Sequence, residues 1–380
     1  MKIALVTYST KPRGSVIHTL ELATAFTDLG QQVCIIALDK DGLGFEAPPP
    51  CAIQLVPAAP VSGDSDQLIQ QRITELVSAI AQMAETFDIY HAQDCLAANA
   101  LIRLRQRGQI ALVVRTLHHV EDYQSAYLRQ CQENSIRLPD RCLCVSDYWQ
   151  GFLAREYGVM APRVINGVNR RRFSAQCSGA EAELKQRYGL TGWPIYLTVG
   201  GIEPRKNSLH LIQAFAEVLK LYADAQLVIA GGATLFDYQD YRQQFFVAAE
   251  TLALPTQSLR LPGVVPAQDL PVLYRCADVF CFPSHREGWG LVVLEAIASK
   301  LPIIVSRCHP FTEFLAPDQA LWVDPDDPQT IARAMVESLS PAAKTWVDRS
   351  QDILPNYSWS TSAQLHLEHY GQLLAQRSPG

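Results

Sequence analysis

Apolar runs of strand length alternate with amphipathic helical stretches from one end of the chain to the other. A strand covered on both faces reads as a continuous apolar run, so this alternation predicts parallel sheets with helices on either side. Residues 3–8, 33–38, 89–91, 111–115 and 142–145 read as strands of a first series. A first helix is expected over about residues 15–29, with Leu20, Ala23, Phe26 and Thr27 near one face and Gly30 ending it. A second series of strands starts at residues 195–199 and continues at 225–230, 278–282, 303–306 and 320–323. Residues 166–179, between the two series, are polar, basic and rich in turn formers, and they read as a linker. A last helix is expected over about residues 359–374, carrying Leu365, Leu367, Tyr370, Leu373 and Leu374.

A chain of 380 residues is too long for one ordinary core, so two domains are expected. With 48% hydrophobic and 18% charged residues, general disorder is excluded and a soluble globular protein is indicated. The net charge of -6 gives no electrostatic reason to expect a nucleic-acid partner. Ten cysteines show no metal-ligand rhythm, and Cys142 and Cys144 share a strand face without a second pair, so buried free thiols are expected. Residues 1–6 are too short an apolar run for a signal peptide, and no stretch approaches the roughly 20 apolar residues of a membrane span. A cytoplasmic location is the expectation.

Chemistry concentrates in two segments. In Ser284-His285-Arg286-Glu287-Gly288-Trp289-Gly290-Leu291, followed by Val292-Val293-Leu294-Glu295-Ala296, two glutamates flank a Gly-x-Gly turn that opens an apolar helix. Carboxylates accept hydrogen bonds from sugar hydroxyls, and a helix N-terminus suits an anion such as a phosphate. In Gly200-Gly201-Ile202-Glu203-Pro204-Arg205-Lys206-Asn207, two cations follow a strand and precede a helix. Cations there oppose the helix dipole, and a bound diphosphate would relieve the misfit.

The Glu287–Glu295 spacing resembles the donor-site motif of the retaining nucleotide-sugar enzymes called glycosyltransferase family 4, or group 1. The resemblance rests on Gly288-Trp289-Gly290-Leu291 between the glutamates, Ala277-Asp278-Val279-Phe280-Cys281-Phe282-Pro283-Ser284 before them and Ala298-Ser299-Lys300-Leu301-Pro302 after. It extends over nearly the whole chain. It implies an α/β protein of GT-B architecture, with two Rossmann-like, doubly wound parallel-sheet domains facing across a cleft. The expected first, acceptor-side domain spans residues 1–170 and the nucleotide-sugar-binding domain spans 180–355, with residues 356–380 crossing back to the first domain.

The resemblance also implies roles. Glu295 would accept hydrogen bonds from the nucleotide ribose, and Glu287 would grip hydroxyls of the donor sugar, assisted by backbone N–H groups of Trp289, Gly290 and Leu291. Arg205 and Lys206 would hold the diphosphate, and His118, at a strand end, would lie beside the donor sugar. Gly14, in the first strand-to-helix loop, would let a phosphate or the acceptor approach the backbone. His119 is expected on the opposite face from His118, while His18 is left open between a site role and packing. Two departures stand out: Gly201 occupies a position where the family commonly has a phosphate-binding arginine, and the first loop holds only one glycine. No cofactor or metal is implied; Asp64-Ser65-Asp66 reads as a helix cap, and the arginines at 103, 105, 107 and 170–172 read as solvated surface.

The resulting expectation is metal-independent, retaining transfer of a hexosyl group from a nucleoside-diphosphate sugar to a glycan, lipid or small-molecule hydroxyl. Peripheral contact with the inner face of a membrane is left open. The rivals are a glycoside hydrolase, a sugar phosphorylase of similar fold, and a nucleotide-sugar-binding protein with weak or no turnover. Hydrolysis would need both glutamates to straddle one bond and gives Arg205 and Lys206 no role. The departures at Gly201 and Gly14 are what keep the weak binder among the rivals. The absence of Gly-x-Gly-x-x-Gly after the first strand counts against a dinucleotide oxidoreductase.

Overall fold

A computed structural model describes residues 1–232 and 238–377. The chain forms two compact units, Met1–Gly167 with Tyr357–Gly380, and Val168–Asn356. The first holds β1 (Lys2–Thr7), β2 (Gln32–Asp39), β3 (Ala52–Pro57), β4 (Ile89–Ala92), β5 (Val113–Leu117) and β6 (Arg141–Cys144), all parallel, in the order β3-β2-β1-β4-β5-β6. The second holds β7 (Ile195–Val199), β8 (Gln226–Ala230), β9 (Leu259–Gly263), β10 (Val279–Phe282), β11 (Ile303–Ser306) and β12 (Leu321–Val323), in the order β12-β11-β10-β7-β8-β9. Counted from its own first strand, each sheet has the doubly wound order 3-2-1-4-5-6. Chain direction across the sheet reverses between β1 and β4 and between β7 and β10, and at such switch points the strand-end loops diverge and leave room for a ligand.

Every residue of β4, β10 and β11 is buried, as helices on both faces require. The edge strands β3 and β9 lie outside the expected set. β3 is only partly covered and ends at Pro57; β9 is nowhere fully buried, contains Pro262 and pairs irregularly with β8. A half-exposed edge needs no continuous apolar run and tolerates proline, so the hydrophobic pattern does not announce it. Asp64 caps the Ser65–Ala81 helix in a reciprocal capping box with Gln67, and all ten cysteines are free. No described helix is long and apolar enough to cross a membrane.

Two glycine pairs set the geometry after β7 and β8. A Cβ on Gly231 would stand 2.4 Å from the Gly200 carbonyl carbon, and one on Gly201 would stand 2.5 Å from the Gly232 carbonyl oxygen. The two strand-end turns therefore touch backbone to backbone. That contact explains the glycine at 201, where the resembling family commonly carries an arginine: a side chain has no room.

Within the first unit the final helix, Trp359–Arg377, packs on the first helix, Gly14–Asp28, around the buried His18, His91 and His366, with the half-buried His118 against His18. His18 Nδ1 lies 2.7 Å from Asn166 Oδ1, and its ring meets that of His118 edge-on at 4.8 Å. His91, on β4, places Nδ1 2.5 Å from the Tyr370 hydroxyl and Nε2 2.8 Å from Thr116 Oγ1. His366 donates Nδ1–H to the Ser362 carbonyl at 2.8 Å. Burial lowers all four pKa values, to about 4 for His18, to about 3 for His366, and well below the usual range for His91 and His118.

The unfolded chain therefore binds protons that the folded chain refuses. Stability is fully present above the unfolded histidine value of about 6.5 and falls as pH drops from there toward 4, by about 1.4 kcal/mol per pH unit for each buried imidazole. Urea unfolding at pH 7 and pH 5 should show that loss, and His366→Phe should lessen it; an unchanged pH dependence in the variant would contradict this assignment. Gly201→Arg should destabilise the protein by about 1–3 kcal/mol through overpacking, measured by denaturant unfolding, whereas wild-type stability would show that the turns part easily.

Candidate active site

The switch point of the second unit is built from the loops after β7 and β10. After β7 the chain runs through an extended Glu203, makes a single 3-10 turn at Pro204–Lys206, turns left-handed at Asn207 (φ 60°), and enters the Ser208–Leu219 helix. Asn207 is buried, and its side-chain amide donates to the carbonyls of Pro283 at 3.0 Å and Pro325 at 2.6 Å. The His285 amide donates to the Arg205 carbonyl at 2.9 Å. These bonds hold the two loops side by side.

The consequence is a compact ion network. Lys206 Nζ lies 2.7 Å from Glu287 Oε1, and Arg205 Nη1 lies 3.1 Å from Glu287 Oε2. Arg205 Nε lies 3.0 Å from Glu203 Oε2. Lys206 Nζ also sits 4.2 Å from the centre of the Phe282 ring on β10, a cation–π contact. Both carboxylates are buried, whereas the Arg205 side chain is 43% exposed. Burial pushes the Lys206 ammonium down to about 8, against the opposing pull of Glu287. Burial also works to raise the Glu287 carboxyl, but Lys206 and Arg205 outweigh it and hold it below the ordinary range. Lys206 and Glu287 are thus ionised together near neutral pH.

The helix after β10, Leu291–Ala298, starts from Gly290 in a left-handed conformation (φ 98°). A Cβ there would stand 2.7 Å from Phe311 Cε1, so glycine is required twice over, by φ and by space. Trp289 is buried with its ring 4.9 Å from that of Phe314. The Val293 amide donates to the Gly290 carbonyl at 2.9 Å, and the start of this helix carries the positive end of its dipole. One turn along, Glu295 is buried and accepts a 2.8 Å hydrogen bond from the Tyr274 hydroxyl. Burial, and then Glu295, raise the Tyr274 pKa well above its usual value.

In the first unit, His118 follows β5 and is half-buried, with Nε2 3.3 Å from Gln93 Oε1. The amide oxygen can only accept, so Nε2 carries the proton and Nδ1 offers a lone pair. His119 is exposed and pairs with Glu121 at 2.6 Å. His18 is packed within the histidine cluster. Gly14 begins the first helix without a positive φ, and a Cβ there would meet nothing within 4 Å, so the fold itself does not call for glycine.

Arg205, Lys206 and Glu287 therefore converge, with Trp289, Gly290, Leu291 and Glu295 on the adjoining turn and helix; His118 and Gly14 lie in the other unit. Three participants were not singled out from the sequence. Glu203 sits inside the quoted Gly200–Asn207 segment, and its position two residues before Arg205 was the available signal. Tyr274 and Gln93 carried no local signal, because only the sheet topology brings them to Glu295 and His118.

Residues 181–345 match the Glycosyl transferases group 1 family, and residues 12–172 match Glycosyltransferase Family 4. The chain is 26% identical over 260 residues to O-antigen chain mannosyltransferase B of Escherichia coli, covering 66% of this chain and 65% of that protein. Sucrose-phosphate synthase from Thermosynechococcus elongatus superposes with a TM-score of 0.80 at 21% identity, covering 99% of both chains. Anabaena HepE in complex with UDP-glucose superposes with a TM-score of 0.79 at 17% identity, covering 98% of this chain and 100% of that one. These likenesses make the two doubly wound units a GT-B fold. The chain belongs to the group 1, or family 4, glycosyltransferases.

Proposed function

We propose that this enzyme transfers a hexosyl group from a nucleoside-diphosphate sugar to a hydroxyl acceptor, with retention of anomeric configuration and without a metal ion. The observation that carries the reading is the convergence of Lys206 and Arg205 on the buried Glu287 beside the start of the Leu291–Ala298 helix. Two cations and a helix N-terminus supply the charge that a departing diphosphate demands. The names of similar proteins agree in chemistry: one is a mannosyltransferase and another was solved with UDP-glucose.

In this reading the diphosphate replaces Glu287 as counterion to Lys206 and Arg205. Glu287 is then released to accept hydrogen bonds from the donor sugar. Glu295, held by Tyr274, accepts from the ribose, and the amides of Trp289, Gly290 and Leu291 face the anion. His118 is neutral and serves as a hydrogen-bond acceptor through Nδ1, while Gly14 leaves its loop backbone open to a phosphate or the acceptor. The acceptor oxygen forms its bond to the anomeric carbon on the face from which the diphosphate departs. The acceptor proton passes to the leaving phosphate oxygen, so the products are a glycoside of unchanged configuration and a nucleoside diphosphate. Glu287 positions the sugar and forms no covalent bond to it.

Sugar transfer from UDP- and GDP-hexoses, followed by NMR of the product anomer in the presence of a chelator, tests this directly. A retained anomer with undiminished rate is expected; inversion, or loss of transfer on chelation, would overturn the reading. Lys206→Ala should lower the rate about thirty- to a thousandfold, equivalent to roughly 2–4 kcal/mol of transition-state stabilisation, and unchanged transfer would remove Lys206 from the site. The depressed Lys206 value of about 8 adds a sign: kcat/KM for the donor should fall above pH 8 as the ammonium is lost. Lys206→Arg, which stays charged, should abolish that alkaline limb, and its persistence would assign it elsewhere. Glu295→Ala should chiefly weaken nucleotide binding, and wild-type affinity by calorimetry would refute the ribose role.

A further inference from the structure

The three segments stitched together by Asn207 also carry metal-binding side chains. His210 lies in the first turn of the Ser208–Leu219 helix, His285 in the loop after β10, and Asp326 in the loop after β12. One donor atom from each lies within 4.8 Å of the other two. His285 Nδ1 is 3.5 Å from Asp326 Oδ1, and the His210 and His285 rings meet edge to face with centres 6.0 Å apart. Donors around a tetrahedral zinc ion, each bound at about 2.0–2.1 Å, stand about 3.3 Å apart. The His285–Asp326 pair is already close to that separation.

A second feature points to a ligand rather than to a plain surface ion pair. His210 Nδ1 lies 2.8 Å from the Pro325 carbonyl, which can only accept, so the proton is on Nδ1 and the available lone pair is on Nε2. Metal-ligating histidines are oriented by this kind of outer hydrogen bond. Here the same loop supplies the orienting carbonyl, from Pro325, and a carboxylate, from Asp326. Asn207 bonds both the Pro283 and Pro325 carbonyls, so the spacing of all three segments is set before any ion arrives.

We propose that His210, His285 and Asp326 form an accessory site for a divalent transition-metal ion of the zinc class, with water as the fourth ligand. Two imidazoles and one carboxylate suit zinc, cobalt or nickel rather than magnesium or calcium. The ion takes no part in sugar transfer. It clips the loop bearing Arg205 and Lys206 to the loop bearing Glu287, and the proposal stands independently of the donor assignment.

Chelator-stripped protein titrated with Co(II) should take up one equivalent with tetrahedral d–d absorption, displaced by Zn(II). Zinc should also raise the melting temperature of the wild-type protein. His285→Ala and Asp326→Asn, both at exposed side chains, should each weaken binding at least about tenfold and abolish the thermal shift, while melting like wild type without metal. No Co(II) band, or equal affinity in wild type and both variants, would overturn the proposal; the latter would place the ion elsewhere, for example on the exposed thiol of Cys177.

Discussion

A buried carboxylate has to be neutralised, and much of the second unit's switch point follows from meeting that requirement at Glu287. An unpaired charge in such a place is untenable, and removing one partner of a buried pair costs about 3–5 kcal/mol. Lys206 and Arg205 supply the compensation, and Glu203 in turn balances Arg205. To deliver both cations, the chain after β7 makes a 3-10 turn and a left-handed residue. Gly200 is part of the same solution: a Cβ there would stand 2.9 Å from Lys206 Cε and block the lysine stem. Close backbone contact with Gly231 and Gly232 then fixes the turn from below.

The network is poised for exchange. Arg205 is partly exposed and Lys206 carries a depressed pKa, so neither cation is as well solvated as it would be in water. In the proposed reaction a diphosphate offers a better counterion than one carboxylate. Its arrival frees Glu287 at the moment a sugar needs hydrogen-bond acceptors, so gripping the phosphate and gripping the sugar become linked steps. The helix starting at Gly290 contributes its positive end without needing any side chain to move.

The central strands were legible in the sequence because burial on both faces leaves an apolar run; β1, β2 and β10 are the clearest cases. The edges β3 and β9 were not, since one side of each needs no apolar cover. Arg205, Lys206, Glu287 and Glu295 could be singled out because their spacing within two short segments resembles a known motif. What spacing could not convey is pairing. That Glu287 already belongs to Lys206, that Tyr274 holds Glu295, and that Gln93 sets the tautomer of His118 all depend on residues brought together by sheet order. The glycine at 201 looked like a missing arginine in one dimension; in three it is a steric requirement imposed by Gly232.

The most direct test of the central claim is a crystal structure of the enzyme with a nucleoside diphosphate bound. The account predicts phosphate oxygens within hydrogen-bonding distance of Lys206 Nζ and the Arg205 guanidinium, with Glu287 parted from at least one of them. A diphosphate bound elsewhere, with the Lys206–Glu287 contact intact at its present 2.7 Å, would contradict it.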